Sequence, residues 1–98
     1  MLFELEWTDE AQATYSHLKS DASQKKRYKA VKKTIRLLAK NPRHPSLQTH
    51  PYFSLKSPKG EKVFEAYAEQ KTPAAYRAFW FYGPSKGKIT IFAITPHP

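Results

Sequence analysis

The stretch from Lys25 to Lys40 constrains this chain most, because it reads as a helix with two opposed faces. Turned by roughly 100° per residue, it gathers Tyr28, Val31, Ile35 and Leu38 into one apolar stripe. On the same projection Lys25, Lys26, Lys29, Lys32, Lys33, Arg36 and Lys40 fall within an arc of about 120°. Arg27 lies on the far side. Such a helix must bury its stripe against another element and leave its cations in water. Asp21 and Ser23 offer caps before it, and Asn41-Pro42 ends it, since proline disfavours helix in the preceding residue. A membrane-surface helix carries a similar cationic face but exposes bulky apolar residues. Here the stripe has a core to enter, and no membrane contact is expected.

The partners for that stripe can be read on either side. Phe3, Leu5 and Trp7 alternate with Glu4 and Glu6, the period-2 mark of a half-buried strand. Thr8 and Asp9 then cap a short helix with Ala11, Tyr15 and Leu18 on one face, ending near Ser20. Residues 42–60 are rich in Pro, Ser, Lys and His and read as a long basic loop. Three strands follow, at 62–69, 75–82 and 88–95. The last two are joined by Gly83-Pro84-Ser85-Lys86-Gly87, a loop that suits a hairpin. The order β-α-α-β-β-β predicts a single α+β domain over residues 1–98: an antiparallel sheet with a two-helix layer packed on one side.

Charge narrows the function. The net charge is +9, and it is unevenly spread. No Asp or Glu occurs between Ala22 and Gly60, a stretch holding eleven of the seventeen Lys and Arg residues. Segregation of this kind suits a polyanionic partner, because cations that neutralise phosphates release counterions. It equally suits an acidic protein. Cysteine is absent, which excludes disulfides, thiolate metal sites and a cysteine nucleophile. The opening run Met-Leu-Phe-Glu-Leu-Glu-Trp has no basic leader and no long apolar segment, so a cytoplasmic protein is expected.

Three stretches carry a resemblance. Leu37-Leu38-Ala39-Lys40-Asn41-Pro42 looks like a leucine-rich helix end leading into a loop. Ala75-Tyr76-Arg77-Ala78-Phe79-Trp80 contains a tyrosine-arginine strand, and Ile89-Thr90-Ile91-Phe92-Ala93-Ile94-Thr95 leads into a short tail, Pro96-His97-Pro98. With the element order, length and charge, these resemble the RelE/ParE toxin superfamily. The resemblance implies the toxin of a toxin–antitoxin pair, with a cognate antitoxin protein as partner and a homodimer left open. It implies a metal-independent endoribonuclease that cleaves mRNA on the ribosome, with no cofactor. A ParE-like inhibitor of DNA gyrase, or an inactive member that only binds an antitoxin, stays open beside it.

Metal-free cleavage needs the 2′-hydroxyl deprotonated, the phosphate charge stabilised and the 5′-oxygen protonated. By the resemblance, Arg77 is the residue at the scissile phosphate; a guanidinium binds phosphate oxygens bidentately and stays charged. An arginine bound to Glu65 or Glu69 on the adjacent strand is the structural alternative. His97 is the candidate acid or base, with an ordinary pKa of about 6.5. Glu65 stands where RelE-type members carry lysines, and is a candidate general base or a partner for Arg77. Tyr67, Tyr76 and Tyr82 are candidates to stack on bases or to fill the core. His44 and His50 read as surface residues or further RNA contacts, with no metal site. Lys25, Lys29, Lys32, Lys33, Arg36 and Lys40 of the helix, with Arg43, Lys56 and Lys59 of the loop, are expected to contact phosphate backbone, rRNA and mRNA alike, or to bind an acidic antitoxin.

Overall fold

A computed structural model describes residues 2–96 of the chain. Strand β1 (Glu4–Trp7) leads into helix α1 (Asp9–Ser20), and a short 3₁₀ turn (Ala22–Gln24) leads into helix α2 (Lys25–Lys40). A second 3₁₀ turn (Pro45–Leu47) precedes strands β2 (His50–Lys56), β3 (Lys62–Tyr67), β4 (Tyr76–Tyr82) and β5 (Lys88–Pro96).

Local chemistry accounts for the helix ends. The Thr8 hydroxyl accepts from the Ala11 amide at 3.1 Å, and Asp9 and Glu10 occupy the first turn of α1, where the helix dipole favours negative charge. That same hydroxyl donates to the Phe92 carbonyl at 2.8 Å, so the cap also ties α1 to β5. Asp21 caps the intervening 3₁₀ turn through Ser23 rather than α2 itself, whose first residue follows Gln24 without a side-chain cap. Helix α2 ends at Lys40, before Asn41-Pro42.

The five strands form one sheet in the order β1-β5-β4-β3-β2. Helix α1 packs on β5 and α2 on β4. The predicted stripe is buried at Val31, Ile35 and Leu38, while Tyr28 is half-buried beside Tyr15, their rings 5.3 Å apart. Beneath them, Ala66 and Ala78 oppose each other in register with no exposed surface. Their small side chains let the helix approach the sheet, and Leu18, Trp80, Ile89 and Ile91 fill the space around them.

The α+β architecture with both helices on one side is as the sequence predicts, but the sheet differs in two ways. Residues 42–60 are not one loop: they contain β2, which pairs antiparallel with β3 along the sheet edge. Its burial alternates on either side of Phe53-Ser54, where two exposed residues in a row shift it by one, and Pro51 interrupts the run, so the period-2 signal is broken; proline is tolerated in a strand at such an edge. Second, β1 pairs parallel to β5, with Leu5 opposite Ile89 and Trp7 opposite Ile91, which makes the sheet mixed. Alternation reports which face a residue occupies, not the direction of its neighbour.

Candidate active site and basic surface

Because side chains alternate along a strand, β3 and β4 divide their residues between two faces. Ala66, Ala78 and Trp80 enter the core under the helices. Glu65, Tyr67, Arg77 and Phe79 point to the other face, paired across the strands as Glu65 with Phe79 and Tyr67 with Arg77. From the edge strand, His50 lies opposite Glu65. Register alone therefore assembles His50, Glu65, Tyr67 and Arg77 on the helix-free face.

Their contacts form a charged chain. Glu65 is completely buried, and its Oε1 lies 2.8 Å from His50 Nε2 while its Oε2 lies 3.7 Å from Arg77 Nε. A buried carboxylate is tolerable only when such partners surround it. The Arg77 guanidinium sits 3.8 Å from the centroid of the Tyr67 ring and donates to the backbone carbonyl of Glu69. Glu69 continues the chain: its Oε1 accepts from Arg27 Nε at 2.8 Å and from the Tyr76 amide at 3.0 Å. Arg27, the one α2 cation outside the basic arc, is thus spent on joining the helix to the sheet, with its guanidinium over the Tyr76 ring.

His50 is the accessible member of this group, with 43% of its side chain exposed. Its Nδ1 lies 2.9 Å from the Gln48 carbonyl, which can only accept. With Glu65 at Nε2, both ring nitrogens face acceptors, an arrangement that the doubly protonated imidazolium satisfies in full. The tyrosine ring adjoins this edge, 5.7 Å from His50 and nearly perpendicular to it.

Of the residues expected from sequence, Arg77 and Glu65 are brought together, and Arg77 is 7% exposed. Glu65, a candidate base, has no surface of its own; what it holds toward solvent is His50. His97 lies outside the described residues, though Thr95 sits opposite Arg77 and Pro96 opposite Tyr76, so β5 runs out beside this cluster. Sequence gives no sign that His50 meets Glu65, because residues 42–60 read as a loop, which has no register to place it.

The basic residues occupy separate ground. Lys25, Lys29, Lys33, Arg36 and Lys40 are exposed on α2, and Lys32 is partly covered, its Nζ 5.8 Å from the Tyr28 ring. Among the described residues none of these six forms an ion pair. Lys29, Lys32, Lys33, Arg36 and Lys40 line a shallow depression of about 420 Å³. Lys56 and Lys59 belong to the β2–β3 hairpin, and Lys56 faces Lys62 across it. Arg43 follows α2, and Tyr82, 41% exposed, closes an aromatic cluster with Phe3, Phe64 and Trp80 on the helix side of the sheet. Tyr82 and Arg77 therefore lie on opposite faces. No group of three or more His, Asp or Glu suited to a metal occurs among the described residues, and no helix there is long and apolar enough to cross a membrane.

No family model matches the sequence, and no curated protein matches it. Solved structures do. A YoeB/ParE toxin from Agrobacterium tumefaciens superposes with a TM-score of 0.69 at 15% identity, covering 97% of this chain and 99% of that one. A YoeB dimer from Staphylococcus aureus gives 0.65 at 14% identity, with full coverage of both chains. The archaeal RelE-RelB complex from Pyrococcus horikoshii gives 0.65 at 14% identity over 98% of this chain and 96% of that one. Two helices against a five-stranded sheet, matched over 97%, 100% and 98% of this chain, show that it shares the fold of these YoeB/ParE and RelE toxin structures.

Proposed function

We propose that this chain is the toxin of a toxin–antitoxin pair and cleaves mRNA on the ribosome without a metal. The observation that carries the reading is the buried Glu65 held between Arg77 and the exposed His50 on the helix-free face. A preorganised cation in a site shielded from water stabilises developing negative charge more strongly than one in solution. Arg77 supplies that field at the phosphate, and Glu65 and Tyr67 hold it in place. His50, as imidazolium, turns its Nδ1–H from the Gln48 carbonyl to the leaving O5′ and donates that proton there; Glu65 holds Nε2 and acts only through the ring. His97 is assigned the removal of the 2′-hydroxyl proton. The O2′–P bond forms as the P–O5′ bond breaks, leaving a 2′,3′-cyclic phosphate and a 5′-hydroxyl. The cations of α2 and of the β2–β3 hairpin supply phosphate contacts to rRNA or bind an acidic antitoxin; the RelE-RelB complex among the structural neighbours supports such a partner, and the YoeB dimer supports self-association.

A second reading has one observation in its favour. Arg77 is nearly enclosed and its guanidinium is held by the Tyr67 ring, the Glu69 carbonyl and the Glu65 carboxylate, as in a chain that binds its antitoxin and cuts nothing. Induced expression in a host without the antitoxin, with mapping of mRNA 5′ ends, separates the two. Codon-phased cleavage lost in Arg77→Ala supports the nuclease; intact transcripts and normal growth remove it.

A further inference from the structure

Beyond the end of α2 the helix layer stops short of the sheet, leaving a cavity of about 340 Å³ on the face opposite Arg77. Its floor is aromatic. Phe64 and Trp80 stack with centroids 4.9 Å apart and planes 24° apart, and Tyr82 stands edge-on to both, at 5.8 and 4.9 Å. Arg43, His44 and Gln48 form the rim. We infer that this cavity is a binding pocket for a nucleobase of single-stranded RNA, with Arg43 placed for the adjoining phosphate. The inference rests on the RNA-directed reading of the chain but requires no cleavage.

Four features select that occupant. A ring slab meeting a perpendicular ring makes a slot for a flat guest, and stacking on such platforms is how proteins hold unpaired bases. Trp80 has no exposed surface, so the rings a guest can reach are the exposed Tyr82 and the half-buried Phe64. A base stacked on them brings ring nitrogens and carbonyl oxygens that accept from donors on the rim, which an aliphatic or phenyl side chain of a protein partner lacks. His44 Nδ1 accepts from the Ser46 amide at 3.1 Å, so the neutral ring carries its proton on Nε2 as a further donor. Finally, Lys29, Lys33, Arg36 and Lys40 run along one side of α2 to its end, three residues before Arg43. A cationic track that ends in a stacking pocket is the general form of a single-strand site. The rim also touches the other face: the carbonyl of Gln48 is the group that holds His50 Nδ1.

The test measures binding of a fluorescein-labelled, 2′-O-methyl RNA hexamer, which cannot be cleaved through its 2′-oxygen, to the full chain by anisotropy. A hexamer of the same backbone without bases is the control. The base-bearing strand is expected to bind about tenfold more tightly than the abasic one, and Tyr82→Ala to abolish that difference, as stacked bases respond to loss of a ring. Tyr82→Phe keeps it. Arg43→Ala weakens both strands and lowers the salt slope by about one. Equal binding of the two strands to the unaltered chain overturns the inference without touching the cleavage reading, which transcript mapping tests separately. So does a Tyr82→Ala variant, folded by its thermal transition, that keeps base discrimination. An effect of Tyr82→Ala confined to a Leu- and Glu-rich helical peptide reassigns the pocket to a protein partner and likewise overturns it.

Discussion

His50 and Glu65 face each other in register across β2 and β3, and their side chains meet at 2.8 Å, joining an exposed imidazole to a carboxylate with no exposure at all. Glu65 also neutralises Arg77, so the exposed and enclosed parts of the cluster share one anion. Removing it leaves Arg77 without its counter-charge and His50 Nε2 without its partner. Glu65→Ala is expected to lower the free energy of unfolding by about 3 kcal/mol, the order seen when one partner of a buried pair is deleted. Denaturant titration checks this. The double variant Glu65→Leu/Arg77→Met should recover most of the loss, since apolar residues can replace a buried pair at little cost.

If His50 is the proton donor, His50→Ala should slow cleavage by about 10² to 10⁴ while leaving binding of the uncleavable hexamer unchanged. The group is half-exposed, so the fold should survive. Single-turnover cleavage on programmed ribosomes reads the first quantity and anisotropy the second. Loss of both together would assign His50 to the fold rather than to the reaction.

The exposed cations of α2 make no ion pairs among the described residues, so their removal should act on nucleic-acid affinity and hardly on stability. Replacing Lys29, Lys33, Arg36 and Lys40 by Gln is expected to reduce the slope of log K against log salt by about three for single-stranded RNA. The thermal midpoint should move little. An unchanged slope would show that this face meets no phosphate.

Burial, and then a hydrogen bond with Tyr28, pushes the Tyr15 hydroxyl up to about 12 from its ordinary value of 10.0. The unfolded chain therefore loses this proton first as pH rises. Stability is unaffected by Tyr15 below about pH 10 and falls between pH 10 and 12, because the folded state still binds a proton that the unfolded state has released. Tyr15→Phe should flatten that part of the stability curve. Denaturation midpoints from pH 9 to 11.5 measure it.

How far the cluster was legible from sequence differs residue by residue. Arg77 and Glu65 stand in apolar and aromatic runs bounded by turn residues, so their strands, and their pairing as one of two alternatives, are legible in the sequence. Tyr67 was known as a strand aromatic, but its place beneath the guanidinium depends on the β3–β4 register. His50 carried no local signal: it precedes a proline in a half-exposed edge strand, and only pairing with β3 brings it to Glu65.

The sequence by itself determined the two helices, both ends of α1, the end of α2 and its cationic face, because a cap, a proline stop and a 3.6-residue period are properties of neighbouring residues. It also determined that β3, β4 and β5 lie in a sheet. Tertiary structure alone decided that β1 runs parallel to β5, that β2 exists, and that His50 meets Glu65. Strand pairing joins residues far apart in the chain, and its direction and register follow from which surfaces bury one another. The basic helix that limited the fold at the outset ends at the rim of a pocket whose floor comes from β3 and β4, a junction that no local pattern encodes.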